Sequence, residues 1–325
     1  MIKVGIIGGT GLVAGELLRL LIHHNQVDID FVYSNSSAGE NISDFHSDLV
    51  SYLDMQFTDK INSSTDVVFL CLGHGNSSKF LKENSFSENT KIIDLSNDFR
   101  LTNDAVFNER EFIYGLPELN YEQIKSAKNI ANPGCFATAI QSALLPLAKN
   151  NLLNNDVHIH AITGATGAGK TLAESTSFIW RNNNMSVYKS FTHQHLGEIG
   201  ESIKSLQTDF DSEINFVPMR GDFARGIFAS VYLKSDIDVN LVKNYFKEYY
   251  KQSKFTYVSK KAIHLKQVVN TNFCFVNVEK YDNKIHITTA IDNLLKGASG
   301  QAVHNMNLMF GFAEDEGLKL KAGLF

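Results

Sequence analysis

The sequence predicts an α/β protein in two parts: a doubly wound parallel sheet, then a second α+β domain built on a mainly antiparallel sheet. Three observations lead there. Short apolar runs alternate with helical segments through the first third of the chain, the pattern of a parallel sheet with helices on both faces. A glycine cluster joins the first apolar run to the first helical segment. Beyond Cys135 and its helix the runs alternate apolar with polar, as strands with one covered face do.

At 325 residues, 43% hydrophobic and 20% charged, the chain has the length for two domains and the composition of an ordinary globular protein. A net charge of -5 with no long basic run argues against nucleic acid as a partner, so an anionic ligand needs a local positive site. Cys71, Cys135 and Cys274 are odd in number and unclustered, which suits a reducing compartment and supports neither a disulfide framework nor a metal site. No charged leader precedes the first strand and no run approaches the ~20 apolar residues of a membrane span, so the expectation is a cytoplasmic protein with no membrane partner.

Residues 3–7 read as a buried strand, 16–23 as a helix, 29–33 as a second strand, and 67–72 and 92–95 as two more. The turn Gly8-Gly9-Thr10-Gly11-Leu12-Val13-Ala14-Gly15 has the strand–turn–helix setting of a Rossmann-type pyrophosphate site. That makes Gly8, Thr10, Gly11, Leu12 and Val13 cofactor candidates; a purely structural turn is the alternative. An NAD-specific site ends its second strand in an acid. Here Ser34, Asn35 and Ser36 stand in that place, polar and uncharged, which favours NADP, although no arginine lies nearby.

Asn132-Pro133-Gly134-Cys135-Phe136-Ala137-Thr138-Ala139 places a thiol just past a Pro-Gly turn, at the start of an apolar helical run. Unpaired N–H groups and the positive dipole end there favour the nucleophilic thiolate. A small packed hydrophobe is the competing reading. A domain boundary is placed near Pro133. Residues 157–162, 226–233, 272–278 and 284–291 then read as alternating strands, 182–184 as a loop, and 296–312 as a final helix.

Three further segments carry possible chemistry. Gly164-Ala165-Thr166-Gly167-Ala168-Gly169-Lys170-Thr171 matches the P-loop pattern, follows a strand and precedes a helical stretch. It lies mid-chain, however, and no later strand offers a magnesium-holding acid; a substrate-cradling loop explains the same residues. His193-Gln194-His195 suits an extended segment entering a site, where a neutral imidazole exchanges protons near pH 7, or simply a polar pair. Arg220 and Arg225, flanking Gly221-Asp222-Phe223-Ala224, suit carboxylate or phosphate recognition, or a solvated salt-bridge loop.

Several long motifs, in order along nearly the whole chain, resemble the N-acetyl-gamma-glutamyl-phosphate reductase family, related to aspartate-semialdehyde dehydrogenase. They are Asn132-Pro133-Gly134-Cys135, Tyr114-Gly115-Leu116-Pro117-Glu118-Leu119-Asn120, Asp94-Leu95-Ser96-Asn97-Asp98-Phe99-Arg100-Leu101, and the run from Ile291-Asp292-Asn293 to Gly300-Gln301-Ala302. The resemblance implies a cytoplasmic arginine-biosynthesis enzyme that reduces an acyl phosphate to a semialdehyde with NADPH. Cys135 would form a thioacyl intermediate, with His195, or else His193, as acid/base. It further implies cofactor contacts at Gly73, Gly167 and Asn293, and substrate contacts at Arg100, Asn132, Gly164, Glu198 and Arg225.

It also implies a nucleotide domain of 1–133 plus 300–325, a catalytic domain of 134–299, and a homodimer or tetramer. The chain departs from the family's pattern at Ala14 (third fingerprint glycine), Asn35 (arginine), Glu40 (lysine) and around Phe216–Arg225. That last departure adds Arg220 beside the substrate pocket, where it would pair with the extra carboxylate of a succinyl rather than an acetyl group. A related acyl-phosphate reductase, such as one acting on aspartyl phosphate, and a non-catalytic NADP-sensing protein are the rival readings.

Overall fold

The computed structural model describes residues 1–324, which form two compact units: 1–133 with 298–319, and 134–297 with 320–324. In the first, β1 (Ile2–Ile7), β2 (Val27–Tyr33), β3 (Val67–Leu70), β4 (Lys91–Asp94), β5 (Val106–Phe107), β6 (Arg110–Tyr114) and β7 (Asn129–Ala131) form one sheet in the order β2-β1-β3-β4-β7-β6-β5. Every pairing is parallel except β5–β6. The inner strand Val67–Leu70 is apolar and buried at every position, as a strand covered on both faces is.

The chain passes from β1 to β2 on one side and then to β3 on the other, so the strand order reverses at β1. Ligands of such sheets bind at this reversal, outside the carboxyl ends of the strands. The glycine turn lies there: Gly8 has φ +84, and its N–H and that of Gly9 both donate to the Tyr33 carbonyl. Helix α1 (Leu12–Leu21) starts four residues earlier than the apolar spacing predicts, because Gly11 serves as its N-cap and the end of the glycine cluster is already helical.

The motif 94–101 is a latch within this unit. The buried Asp94 carboxylate accepts from Ser77 Oγ at 2.5 Å and from Ser96 Oγ at 2.7 Å, and Asp98 accepts from the N–H groups of Gly75 and Ser78. Arg100 donates to the carbonyls of Asn132 and Leu95. Burial pushes the Asp94 carboxyl up to about 6 from an ordinary 3.8, against the pull of its serine donors and Arg100. Between those two pH values native Asp94 keeps a proton that the unfolded chain has lost, so stability from this group falls as pH rises through the window. The unfolding free energy of the wild type, relative to Asp94→Asn, should therefore drop by about 2 kcal/mol between pH 4 and pH 6. Denaturant melts at several pH values would show it; parallel pH profiles for the two proteins would contradict it.

In the second unit, α5 (Cys135–Lys149; the intervening helices are α2 Ile42–Phe45, α3 Ser77–Glu83 and α4 Pro117–Ser126) lies on a mixed sheet. Its strands are β8 (Val157–Thr163), β9 (Ser186–Val187), β10 (Ile214–Arg220), β11 (Ile227–Lys234), β12 (Thr256–Ser259), β13 (Cys274–Tyr281) and β14 (Lys284–Ile291), ordered β12-β13-β14-β11-β8-β10-β9. Pairings are antiparallel except β12–β13 and β8–β10. The β8–β10 exception follows from the crossover between them, which carries α7 (His195–Leu206), after the short α6 (Phe178–Arg181).

Every residue of α5 from Phe136 to Ala148 is buried, so the helix runs through the core against Ile159, Val231 and Ile287 of the sheet. Pro146 removes the N–H that would bond the Ser142 carbonyl. The hydroxyl of Tyr250, just past α8 (Val239–Tyr249), donates to that carbonyl at 2.8 Å instead, and Thr289 Oγ1 donates to the Ala139 carbonyl.

The final helix covers Ser299–Phe310 rather than beginning at residue 296. The Asp292 carboxylate accepts from the N–H groups of Leu294 and Leu295, and its carbonyl accepts from Gly297, which holds that stretch in a turn.

Candidate functional site

Cys135 is the first residue of α5, capped by Gly134 in extended conformation. The Gly134 N–H donates to the buried Glu198 carboxylate at 2.9 Å. The His195 ring lies so close to Gly134 that a Cβ there would fall 2.3 Å from Nε2. The same Nε2 is 3.8 Å from Glu198 Oε1. Nucleophile, imidazole and carboxylate thus converge on the Pro-Gly turn.

The His-x-His segment is not extended as expected. His195 is the first residue of α7, because Leu196, Ile199 and Ile203 repeat at helical spacing and the latter two are buried. His193 Nδ1 accepts the His195 N–H at 3.2 Å, so neutral His193 carries its proton on Nε2. Its ring sits 4.5 Å from that of His195 and is boxed by Phe136, Tyr188 and Phe216 at 5.5–5.9 Å. Burial pushes the Tyr188 phenol up to about 12; negative charge at Cys135 adds to the rise and Arg220 opposes it. The Arg220 guanidinium lies over the Tyr188 ring, 4.8 Å from its centre.

A second cluster in the same unit holds the glycine loop. Gly164 N–H donates to the Gly226 carbonyl, Thr166 N–H to Ala224, and Asn293 bridges the Gly226 N–H and Thr166 Oγ1 at 2.7 and 3.0 Å. Arg225 does not stand free beside a pocket: its Nε and Nη2 grip both oxygens of the fully buried Asp292, at 3.0 and 3.2 Å. Gly297 joins the clusters, since a Cβ there would lie 2.6 Å from the Asn293 carbonyl oxygen and 2.8 Å from Cys135 Cβ. The P-loop reading fails on geometry. A 3-10 turn, Ala165–Ala168, follows β8, and no α-helix starts before Phe178.

The remaining sequence-predicted residues lie in the first unit. Thr10, Gly11, Leu12 and Val13 form the turn and first helical turn, where N–H groups lack acceptors inside the helix. Asn35 and Ser36 are exposed beyond β2, whereas Ser34 is buried with its N–H on the Thr58 carbonyl. Gly73 follows β3, its carbonyl accepting from the Asn76 N–H. Asn132 is buried, bonded to the Ala298 carbonyl and to Asn305 Nδ2. Tyr188, Asp292 and Gly297 were not picked out in the sequence as site residues, and for Tyr188 no local signal exists.

Cys274 is buried; Cys71 and Cys135 are both partly exposed, but desolvation and then the Asp94 charge push the Cys71 thiol far above its ordinary range, which leaves it without thiolate at neutral pH. Iodoacetamide at neutral pH should therefore label Cys135 first. Peptide mass spectrometry would read this, and early labelling of Cys71 would contradict it. No helix among the described residues is long and apolar enough to cross a membrane, and no group of acidic, histidine and cysteine side chains among them could hold a metal.

Residues 3–127 match the family described as semialdehyde dehydrogenase, NAD binding domain, and residues 135–293 match semialdehyde dehydrogenase, dimerisation domain. The chain is therefore an oxidoreductase with a nicotinamide-cofactor domain. In the solved aspartate semialdehyde dehydrogenase II of Vibrio cholerae the fold recurs with a TM-score of 0.71 at 18% identity, covering 96% of this chain and 98% of that one. Proteins named N-acetyl-gamma-glutamyl-phosphate reductase from Christiangramia forsetii and Flavobacterium johnsoniae are each 59% identical over 325 residues, the full length of both chains in each comparison. With that identity sustained end to end, the chain belongs to the N-acetyl-gamma-glutamyl-phosphate reductase family.

Proposed function

We propose that the protein reduces an N-acyl-gamma-glutamyl phosphate to the N-acylglutamate 5-semialdehyde in arginine biosynthesis, with Cys135 as nucleophile and NADPH as reductant. One observation carries the reading. Cys135 opens α5 with the His195 ring against Gly134 and the Glu198 carboxylate on the Gly134 N–H. A thiolate, a proton carrier and a fixed backbone turn are the parts that acyl transfer requires.

Cys135 Sγ forms a bond to the acyl carbon and the phosphate oxygen leaves with its electron pair, giving a thioester. A bound reduced nicotinamide supplies the hydride for that carbon. His195 takes the proton from Sγ at the first step and controls the proton on the hemithioacetal oxygen as the C–S bond breaks to release aldehyde. Glu198 fixes the Gly134 amide and sets the His195 ring; His193 acts as a positioning residue through its bond to the His195 N–H.

The glycine turn fits a dinucleotide pyrophosphate, with the first-turn N–H groups of α1 at the reversal of strand order. Exposed Asn35 and Ser36 can bond a 2′-phosphate without repelling it, which supports NADP over NAD. A homodimer or tetramer is supported by the family description and by exposed Leu172, Phe178, Ile179 and Met185 in the second unit; sedimentation reads the state.

The reverse assay tests the function: N-acylglutamate semialdehydes with NADP and phosphate should yield NADPH, while aspartate semialdehyde should not. Turnover of aspartate semialdehyde alone would overturn the reading.

A further inference from the structure

We infer that Arg220 is a carboxylate receptor of the substrate site, stacked on Tyr188 and one aromatic ring away from the histidine pair. The inference rests on the reading above for the identity of the substrate. Its geometry stands independently within the second unit.

Arg220 ends β10, and its backbone is held on both sides. It pairs with Ser186 of β9 and Thr163 of β8, and its carbonyl accepts from Arg181 Nη1 at 2.7 Å. The buried Arg181 makes its other bonds to Ser175, Asn184 and Ser186, so it serves the fold. Arg225 is committed to Asp292. Arg220 differs from both. Its Nε is buried without a hydrogen-bond partner, and no carboxylate among the described residues lies within ion-pair distance of it. A buried guanidinium N–H left without an acceptor is costly, and the group that best matches its planar fork is a carboxylate.

The Tyr188 ring under the guanidinium lies 5.9 Å from His193, whose ring is 4.5 Å from His195. Stacking on Tyr188 and a hydrogen bond to its hydroxyl fix the plane of the fork, which leaves the buried Nε open to an acceptor that a bound carboxylate would supply. An N-acylglutamyl substrate offers two sources of that acceptor: its own α-carboxylate, and the terminal carboxylate of a dicarboxylic acyl group such as succinyl, which acetyl does not have.

Calorimetric titration of the full-length protein with N-acetylglutamate and N-succinylglutamate separates the two sources without requiring turnover. In Arg220→Gln, affinity should fall about 10- to 100-fold, the loss expected for a charge-assisted carboxylate contact. Loss for both ligands assigns the α-carboxylate. Loss confined to N-succinylglutamate, which the wild type then binds more tightly, assigns the acyl end. Arg220→Lys, which keeps the charge but not the fork, should recover part of the affinity and guards against a folding defect in the first variant. Unchanged affinity for both ligands in Arg220→Gln would overturn the proposal. So would absence of binding to the wild type, or an equal loss for inorganic phosphate. A failed reverse assay with intact, Arg220-dependent binding would instead sink the reaction reading alone.

Discussion

Cys135→Ser should lower kcat by on the order of 10^4-fold or more, as loss of a covalent nucleophile does elsewhere. Serine matches cysteine closely in shape, and Cys135 is partly exposed at the start of a helix that is buried from Phe136 to Ala148. Stability and cofactor binding should therefore stay near the wild type, while the variant forms no thioester. Its hydroxyl is a far weaker nucleophile than a thiolate. Steady-state kinetics with melting curves read both halves. Activity within tenfold of the wild type would remove Cys135 from the chemistry.

The second large effect concerns the fold. Arg225→Met should destabilise the protein by about 3 kcal/mol, the low end for removing one partner of a buried ion pair. Asp292 is fully buried and loses two guanidinium bonds at 3.0 and 3.2 Å, but it keeps backbone donors from Asn270, Leu294 and Leu295. Adding Asp292→Asn should restore part of the loss, since the orphaned charge disappears. Denaturant melts of the single and double variants test this. If Arg225 acted only on substrate, stability would stay unchanged while KM rose, and the assignment would fall.

These two cases mark what was legible in the chain. The glycine turn and the Cys135 helix start depend on neighbours within a few residues, so strand, turn and helix signals coincide there. The identity of the paired histidines was equally plain. Their conformation was not: two-residue spacing suggests an extended segment, but the buried Ile199 and Ile203 downstream draw His195 into a helix.

Contacts across the sheet leave no local trace. Arg225 meets Asp292 from 67 residues away, a pairing that no local pattern announces. Tyr188 reaches the site because its N–H pairs with the Pro218 carbonyl, thirty residues on, and the surrounding sequence carries no motif. The three-residue strand Asn129–Ala131 and its neighbour Arg110–Tyr114 escape a periodicity reading as well, because the sheet between β4 and β5 sets their conformation rather than their own short pattern. The 94–101 motif points to a family by its order, yet its residues hold one another: Asp94 on Ser77 and Ser96, Arg100 on the Asn132 carbonyl.

The most direct test of the central claim is mass spectrometry of the protein mixed with its acyl phosphate in the absence of reduced cofactor. Cys135 as nucleophile requires one acyl group to appear on the peptide containing Cys135, with one equivalent of phosphate released per active site and no adduct in Cys135→Ser. Phosphate release without an adduct, or an adduct that persists in Cys135→Ser, would contradict the account.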